Sequence, residues 1–353
     1  MIKMLKKIKI NDQYIGEGES TFIIAEAGVN HNGKMDLAKM LVDVAKDAGV
    51  DAVKFQTFKS EQLVSSSVEM AEYQKENTGK QETQLEMLKR LELSYDNFKE
   101  LKDYCDKKKI MFLSTPHTSD AVDFLELLVP AYKIGSGDLN NLPFLKKIAS
   151  KAKPIILSTG MSNLEEVKGA VKTIKQTGNE EIILLHCTTN YPCPFEEVNL
   201  KAMLTLANEF SDLPCGYSDH TLGITVPIMA VALGAKVIEK HFTLDKTLSG
   251  PDHKASLNPD ELKQMVIAIR GVEKAFGDGI KRPNPSEEKI LEVARKSIIS
   301  KANIPKGAKI TEEMLVIKRP GTGIQPKYLD KVINKRAKKD IKKDTLISIE
   351  DLK

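Results

Sequence analysis

Eight short apolar runs, each followed by an amphipathic stretch, constrain this chain more than any other feature. They are FIIAEAG (22–28), AVKFQT (52–57), MFLSTP (111–116), AYKIGSG (131–137), PIILSTG (154–160), IILLHC (182–187), CGYSDH (215–220) and VIEKHFT (237–243). Each has strand length and ends in small or polar residues. Between them, DLAKMLVDVAKDAG (36–49) and LEEVKGAVKTIKQTG (164–178) carry apolar residues at helical spacing and close on Gly, a common helix stop. Strands alternating with helices call for parallel strands joined by crossovers, and eight such strands close a (β/α)8 TIM barrel. The alternative is an open doubly wound sheet, but no GxGxxG follows the first run. The pattern therefore predicts an α/β barrel domain over residues 1–276.

GDGIKRPNPSEEKI (277–290) breaks the rhythm with Gly, Pro and charge and reads as a linker. The remainder, 291–353, contains an internal echo. NIPKGAKITEEML (303–315) is answered by DIKKDTLISIEDL (340–352), which aligns Ile304 with Ile341, Ile310 with Ile347, Thr311 with Ser348 and Leu315 with Leu352. A duplication of this kind predicts a small, pseudo-symmetric β-rich module. KRPGTGI (318–324), between the halves, is too rich in Gly and Pro to be core.

Composition narrows the function classes. Of 353 residues, 53 are Lys or Arg and 49 Asp or Glu, so the net charge of +4 lies on a well-mixed surface. The lysines between 331 and 343 have no aromatic interleaving and read as a solvated face, with no nucleic-acid partner. No run approaches the roughly 18 apolar residues of a membrane span, and MIKMLKKIKIND lacks the apolar centre of a signal peptide. A cytoplasmic protein is expected. Cys105, Cys187, Cys193 and Cys215 are too few and too irregularly spaced for a disulfide framework or zinc cluster, and read as reduced and buried.

In a barrel of this kind the catalytic groups stand at the C-terminal ends of the strands. Those ends carry Glu26, Lys54, Gln56, Ser114, Thr115, Lys133, Ser136, Asp138, Ser158, Thr159, His186, Thr188, Thr189, Ser218, Asp219, His220, Glu239, Lys240 and His241. Residues two apart share a face of a strand. Lys54 then points with Gln56, Ser218 with His220, and Glu239 with His241, while Lys240 points outward. His220 and His241 end the seventh and eighth strands, which are neighbours in a barrel. With a carboxylate such as Glu26 or Asp252 nearby, the pair suits a borderline divalent metal with open positions. Lys54, Lys133, Thr115, Ser136, Ser158 and Ser218, beside the turns IGSG and STG, suit a small doubly anionic ligand. Each hydroxyl alone reads as a helix cap; their convergence supports the pocket. His31 and His117 are placed at the rim, His186 as internally satisfied, and SGPDHKASL (249–257), with His253, as a loop over the pocket.

FIIAEAGVNHNG, AVKFQTF, FLSTP, YKIGSGD, IILSTGM, LLHCTTNYP, GYSDHT, IEKHFTLDK and SGPDHKASLNPDEL resemble the sialic acid synthases, a group that includes the legionaminic acid synthases. IPKGAKIT and KRPGTGI are similar to the C-terminal antifreeze-like (SAF, β-clip) domain of the same family. The resemblance covers essentially the whole chain. It implies condensation of phosphoenolpyruvate (PEP) with the open-chain aldehyde of N-acetylmannosamine or a related sugar, with Mn2+ or Mg2+. It implies His220 and His241 as metal ligands, and Lys54, Thr115, Lys133, Ser136, Ser158 and Ser218 as PEP contacts. It further implies Gln56, Tyr191 and Asp252 at the sugar, with Glu26 near the metal. The resemblance also implies Glu26, Asp138 and Asp252 as catalytic carboxylates, with Glu26 or Asp138 orienting the adding water, and Thr189 as a substrate contact. Asp138 stands where many relatives have Glu, one methylene longer, and Thr189 where some have Asn. Arg319 matches an arginine that reaches the N-acetyl group from the SAF domain of a second subunit, in a homodimer with exchanged domains.

Rival readings are another PEP–sugar synthase, a Schiff-base aldolase built on Lys133, and a non-catalytic carbohydrate- or ice-binding protein. A second phosphate would need a further basic cluster, which the sequence lacks. The GPDH segment favours the sialic and legionaminic branches over the pseudaminic one, and leaves those two undivided.

Overall fold

The computed structural model describes residues 6–353; the start of the N-terminal stretch read above for a leader lies outside the described residues. The chain folds as two compact units, Met1–Phe276 and Gly277–Lys353.

A hairpin opens the first unit, with β1 (Ile8–Ile10) antiparallel to β2 (Gln13–Ile15). Eight parallel strands follow: β3 (Phe22–Gly28), β4 (Ala52–Thr57), β5 (Met111–Pro116), β6 (Tyr132–Ile134), β7 (Ile155–Ser158), β8 (Ile182–Cys187), β9 (Cys215–Asp219) and β10 (Val237–His241). Their order is β5-β4-β3-β10-β9-β8-β7-β6, and β5 lies against β6, so the sheet curls into a near-barrel ringed by helices. Every strand falls within one of the eight apolar runs. The fourth is cut short: after Ile134 the chain turns into a 3-10 segment, Ser136–Asp138, because Gly and Asp pair poorly in strands.

Strand alternation divides the core in two. Ile23, Val53, Phe55, Phe112, Leu157, Leu184 and Ile238 face outward and pack on the helices. Ile24, Ala52, Leu113, Ile156, Ile183 and Leu185 face inward, where Ile8, Ile10 and Ile15 of the hairpin meet them. Those three isoleucines are fully buried and contribute roughly 6 kcal/mol of gross apolar burial. The barrel is thus sealed with apolar side chains at its N-terminal end, and its inward polar residues are left at the other. The hairpin's strands of three residues are too short for periodicity to reveal this plug.

Between β4 and β5 the connection is longer than one helix. Ser60–Leu63, Glu72–Thr78 and Gln84–Leu91 precede the outer helix Tyr95–Lys108. Thr83 and Ser94 each cap their helix reciprocally with the residue three on, Glu86 and Asn97. Val29, Phe58, Met70, Met87 and Leu91 form a separate small core that fixes this excursion to the barrel.

In the second unit β11 (Ser297–Ser300) pairs antiparallel with β12 (Leu315–Lys318). The echoed halves meet one another: Ile304 and Ile341 exchange both backbone hydrogen bonds, at 2.8 and 2.9 Å. Ile310 and Ile347 are both fully buried, and 3-10 turns at Glu312–Met314 and Ile349–Asp351 follow the aligned Thr311 and Ser348. The linker expectation needs correcting in part. Asn284 caps a 3-10 turn at Pro285–Glu287, and the helix Glu288–Ala294 continues from it, so order begins inside 277–290. Arg319 lies in this unit, exposed, with Nε donating to the Ala294 carbonyl at 3.2 Å.

Candidate active site

A polar cavity of about 250 Å3 occupies the C-terminal end of the barrel. Glu26, Lys54, Gln56, Thr115, Lys133, Ser136, Ser158, Thr189, Tyr191, Ser218, His220, His241 and Asp252 all line it. The strand-face assignments hold: Lys54 with Gln56, Ser218 with His220 and Glu239 with His241 all face inward, and Lys240 does not.

Two lysines line the pocket, each against a carboxylate. Lys54 and Lys133 are only 2% and 3% exposed. Lys54 Nζ lies 2.7 Å from Glu26 Oε2 and donates to Thr115 Oγ1 at 3.1 Å. Lys133 Nζ donates to Ser158 Oγ at 2.8 Å and lies 3.3 Å from Glu239 Oε1. Glu239 also accepts from Ser218 Oγ at 3.0 Å and lies 3.6 Å from Lys54. In the sequence it is one strand-end residue among many, and its place between both lysines appears only once the barrel closes. The two lysines are thus paired with Glu26 and Glu239, and Asp252 is a third carboxylate of the lining. The Ser136 hydroxyl accepts from the Gly160 amide at 3.0 Å, and a Cβ at Gly160 would stand 2.4 Å from Thr189 Oγ1. Only glycine lets the STG turn approach so closely.

The histidines stand at the next inward positions, His220 two residues after Ser218 and His241 two after Glu239. The rings of His220 and His241 lie 5.4 Å apart. His220 Nδ1 donates to the Thr188 carbonyl at 2.7 Å, which leaves its Nε2 as a lone-pair donor. His241 Nδ1 is buried without a partner, and Asp252 Oδ2 lies 3.9 Å from it. Two imidazoles on one ion, with nitrogens ~2.1 Å from it, place their ring centres roughly 5 Å apart. The pair therefore fits a shared cation. Among the described residues no three His, Cys, Asp or Glu side chains converge as a metal cage, so the protein's direct share would be this pair. Tyr191 packs on His220 at 4.0 Å between ring centres and is itself stacked by Tyr73 at 5.3 Å.

Burial sets the proton affinities. It pushes Glu26 up to about 7, against the pull of Lys54 and with help from the charge on Glu239. Burial likewise raises Asp252 to about 6. Burial also opposes charge on Glu239, yet the Lys133 and Lys54 ammoniums hold it below the usual range. Lys133 is moved down, chiefly by desolvation.

Several expectations are amended. Asp138 is not a lining residue: Asn141 Nδ2 donates to it at 3.2 Å, and it stands 3.9 Å behind His117, which does line the cavity. His31 is buried beneath the rim rather than on it. His186 is internally satisfied as expected, bonded to the Val198 carbonyl, and His253 is held by Thr243 and Asn32. Tyr73, Gln74, Met87, Leu88 and Leu91, from the β4–β5 excursion, were not assigned individually and form the mouth. All four cysteines are free and buried, and Cys187 touches the cavity.

A polar pocket with two buried lysines and a histidine pair at the C-terminal end of a parallel near-barrel marks a candidate enzyme site, and comparison with known proteins gives the family. Residues 41–281 match the NeuB family model and 295–353 the SAF domain. The N,N'-diacetyllegionaminic acid synthase of Campylobacter jejuni is 51% identical over 93% of this chain and 99% of that protein. Its Legionella pneumophila counterpart is 50% identical over 94% of each. The crystal structure of N-acetylneuraminic acid synthetase from Leptospira borgpetersenii superposes with a TM-score of 0.72 at 35% identity, over 83% of this chain and 97% of that one. The chain belongs to the NeuB family, with a C-terminal SAF domain. No helix among the described residues is long and apolar enough to cross a membrane.

Proposed function

We propose that this protein condenses PEP with an N-acetylmannosamine-type aldehyde and water, forming a nonulosonic (sialic-type) acid and releasing phosphate. The observation that carries this is a single pocket lined by two buried lysines, several hydroxyls and a histidine pair whose rings lie 5.4 Å apart. Lys54 and Lys133, with Thr115, Ser136, Ser158 and Ser218, hold the phosphate and carboxylate of PEP and fix its carbon 3 for attack on the aldehyde. A divalent cation, Mn2+ or Mg2+, held by His220 and His241 would supply Lewis acidity at the sugar aldehyde. Gln56, Tyr191 and Asp252 orient the sugar. Glu26, poised near neutrality, takes the proton from the water that adds at carbon 2 of PEP, and the adduct then loses phosphate by C–O cleavage.

Between the two sugars, 2,4-diacetamido-2,4,6-trideoxymannose is favoured. The lining includes Val29, Met87, Leu88 and Leu91, apolar groups suited to a 6-deoxy carbon and an acetamido methyl. The level of identity to the two legionaminic acid synthases supports the same choice. A cytoplasmic homodimer, in which Arg319 of a second copy serves the N-acetyl group, goes with this reading on the strength of family membership. The Schiff-base alternative rests on the lowered proton affinity of Lys133. Phosphate release that disappears with chelator and returns with Mn2+ supports the condensation. Metal-independent turnover trapped by borohydride would replace it with the aldolase.

A further inference from the structure

Lys240 and Asp219 are ionised side chains with no exposure at all, and they lie outside the pocket. They are cross-strand partners, Lys240 on β10 opposite Asp219 on β9, the last paired position before His220. Lys240 Nζ donates to Asp219 Oδ2 at 2.5 Å and to the Thr221 carbonyl. The Asp219 carboxylate in turn accepts from the Thr221 amide at 3.2 Å and its hydroxyl at 3.0 Å. His220 is therefore the apex of a three-residue turn closed by the Asp219 carboxylate, and one ammonium grips both flanks of that turn. That ammonium belongs to the residue immediately before His241.

A buried ion pair is a poor source of stability: an apolar pair of similar size usually does as well or better. Its geometric effect is specific. β9 ends at Asp219, so His220 lies beyond the strand ladder, whereas His241 is still paired with Glu26 of β3. His220 is held instead by the Cys193 amide on its carbonyl, the Thr188 carbonyl at its ring and the turn closed by Asp219. We propose that Asp219, Lys240 and Thr221 form a clamp that positions His220 against His241 for a shared cation, making them positioning residues of the metal site rather than groups that touch substrate. The inference rests on the metal reading of the two histidines.

The test is Mn2+ binding by the full chain, followed by the paramagnetic resonance of free Mn2+, alongside calorimetric PEP binding in chelator. The paired replacement Asp219→Leu with Lys240→Met substitutes an apolar pair. The clamp predicts a folded protein whose Mn2+ dissociation constant rises about tenfold or more, while its PEP affinity stays within twofold. A rise below fivefold, or equal loss of both ligands, overturns it. Should the double variant not fold, Thr221→Val, which removes one hydroxyl, is measured the same way, with at least a twofold rise in the Mn2+ constant expected and no change refuting the clamp. Failure of the wild-type chain to bind Mn2+ overturns the metal reading itself, and the clamp with it.

Discussion

Replacing Lys133 by Met removes one of the two cations of the anion site while keeping most of its volume. In the empty pocket Lys133 is tied to Ser158 and Glu239, and desolvation holds its proton affinity down. An anionic oxygen of PEP about 4 Å from the ammonium gains roughly 4 kcal/mol at an effective dielectric constant near 20. At about 1.4 kcal/mol per decade this corresponds to about a thousandfold in kcat/KM for PEP. Lys54, which also reaches Glu239 at 3.6 Å, takes over part of the load, so two to three decades are expected. Initial rates of phosphate release against PEP concentration measure the loss, and a thermal melt of the variant separates it from misfolding. A folded Lys133→Met protein with kcat/KM within fivefold of the wild type would refute the two-lysine anion site.

The remaining predictions concern the histidine pair, the general base and the assembly. His220→Ala and His241→Ala should each abolish metal-dependent turnover while far-ultraviolet circular dichroism stays native; retained turnover would remove the metal assignment. Glu26 binds its proton more tightly in the folded chain, at about 7 against an ordinary 4.5, so its contribution to stability falls as pH rises across that window. Glu26→Gln should flatten this slope in pH-dependent melts and abolish the rise of kcat/KM through pH 7; an unchanged profile would assign the base elsewhere. Light scattering should show a dimer, and Arg319→Ala should raise KM for the sugar more than for PEP. An active monomer would contradict the shared-site proposal.

The strand-end chemistry was legible because a barrel converts sequence position into spatial position. Once eight runs are counted, every run end faces one pocket, and alternation along each strand separates Lys240 from His241. What stayed hidden lies where that conversion fails. The hairpin Ile8–Ile15 has strands of only three residues, too short for periodicity to show, and its role depends on inward residues of the barrel strands, such as Ile156 on β7 and Ile183 on β8. Tyr73 and Met87 reach the mouth from an excursion whose path is set by its own small core around Phe58 and Met70. Asp138 follows a strand end in sequence, yet the 3-10 turn there carries its carboxylate behind His117. Glu239 was visible as a residue but not as a partner, because its two lysines come from β4 and β6, far away in the chain. In the second unit the echo was readable, whereas the mutual pairing of Ile304 with Ile341 is a tertiary fact.

The most direct test of the account is phosphate release from PEP by the full chain, after chelation and again with Mn2+ restored. N-acetylmannosamine and 2,4-diacetamido-2,4,6-trideoxymannose are run side by side. The account predicts release only with both metal and sugar, and faster with the diacetamido sugar. No release with either sugar in the presence of Mn2+ would contradict it.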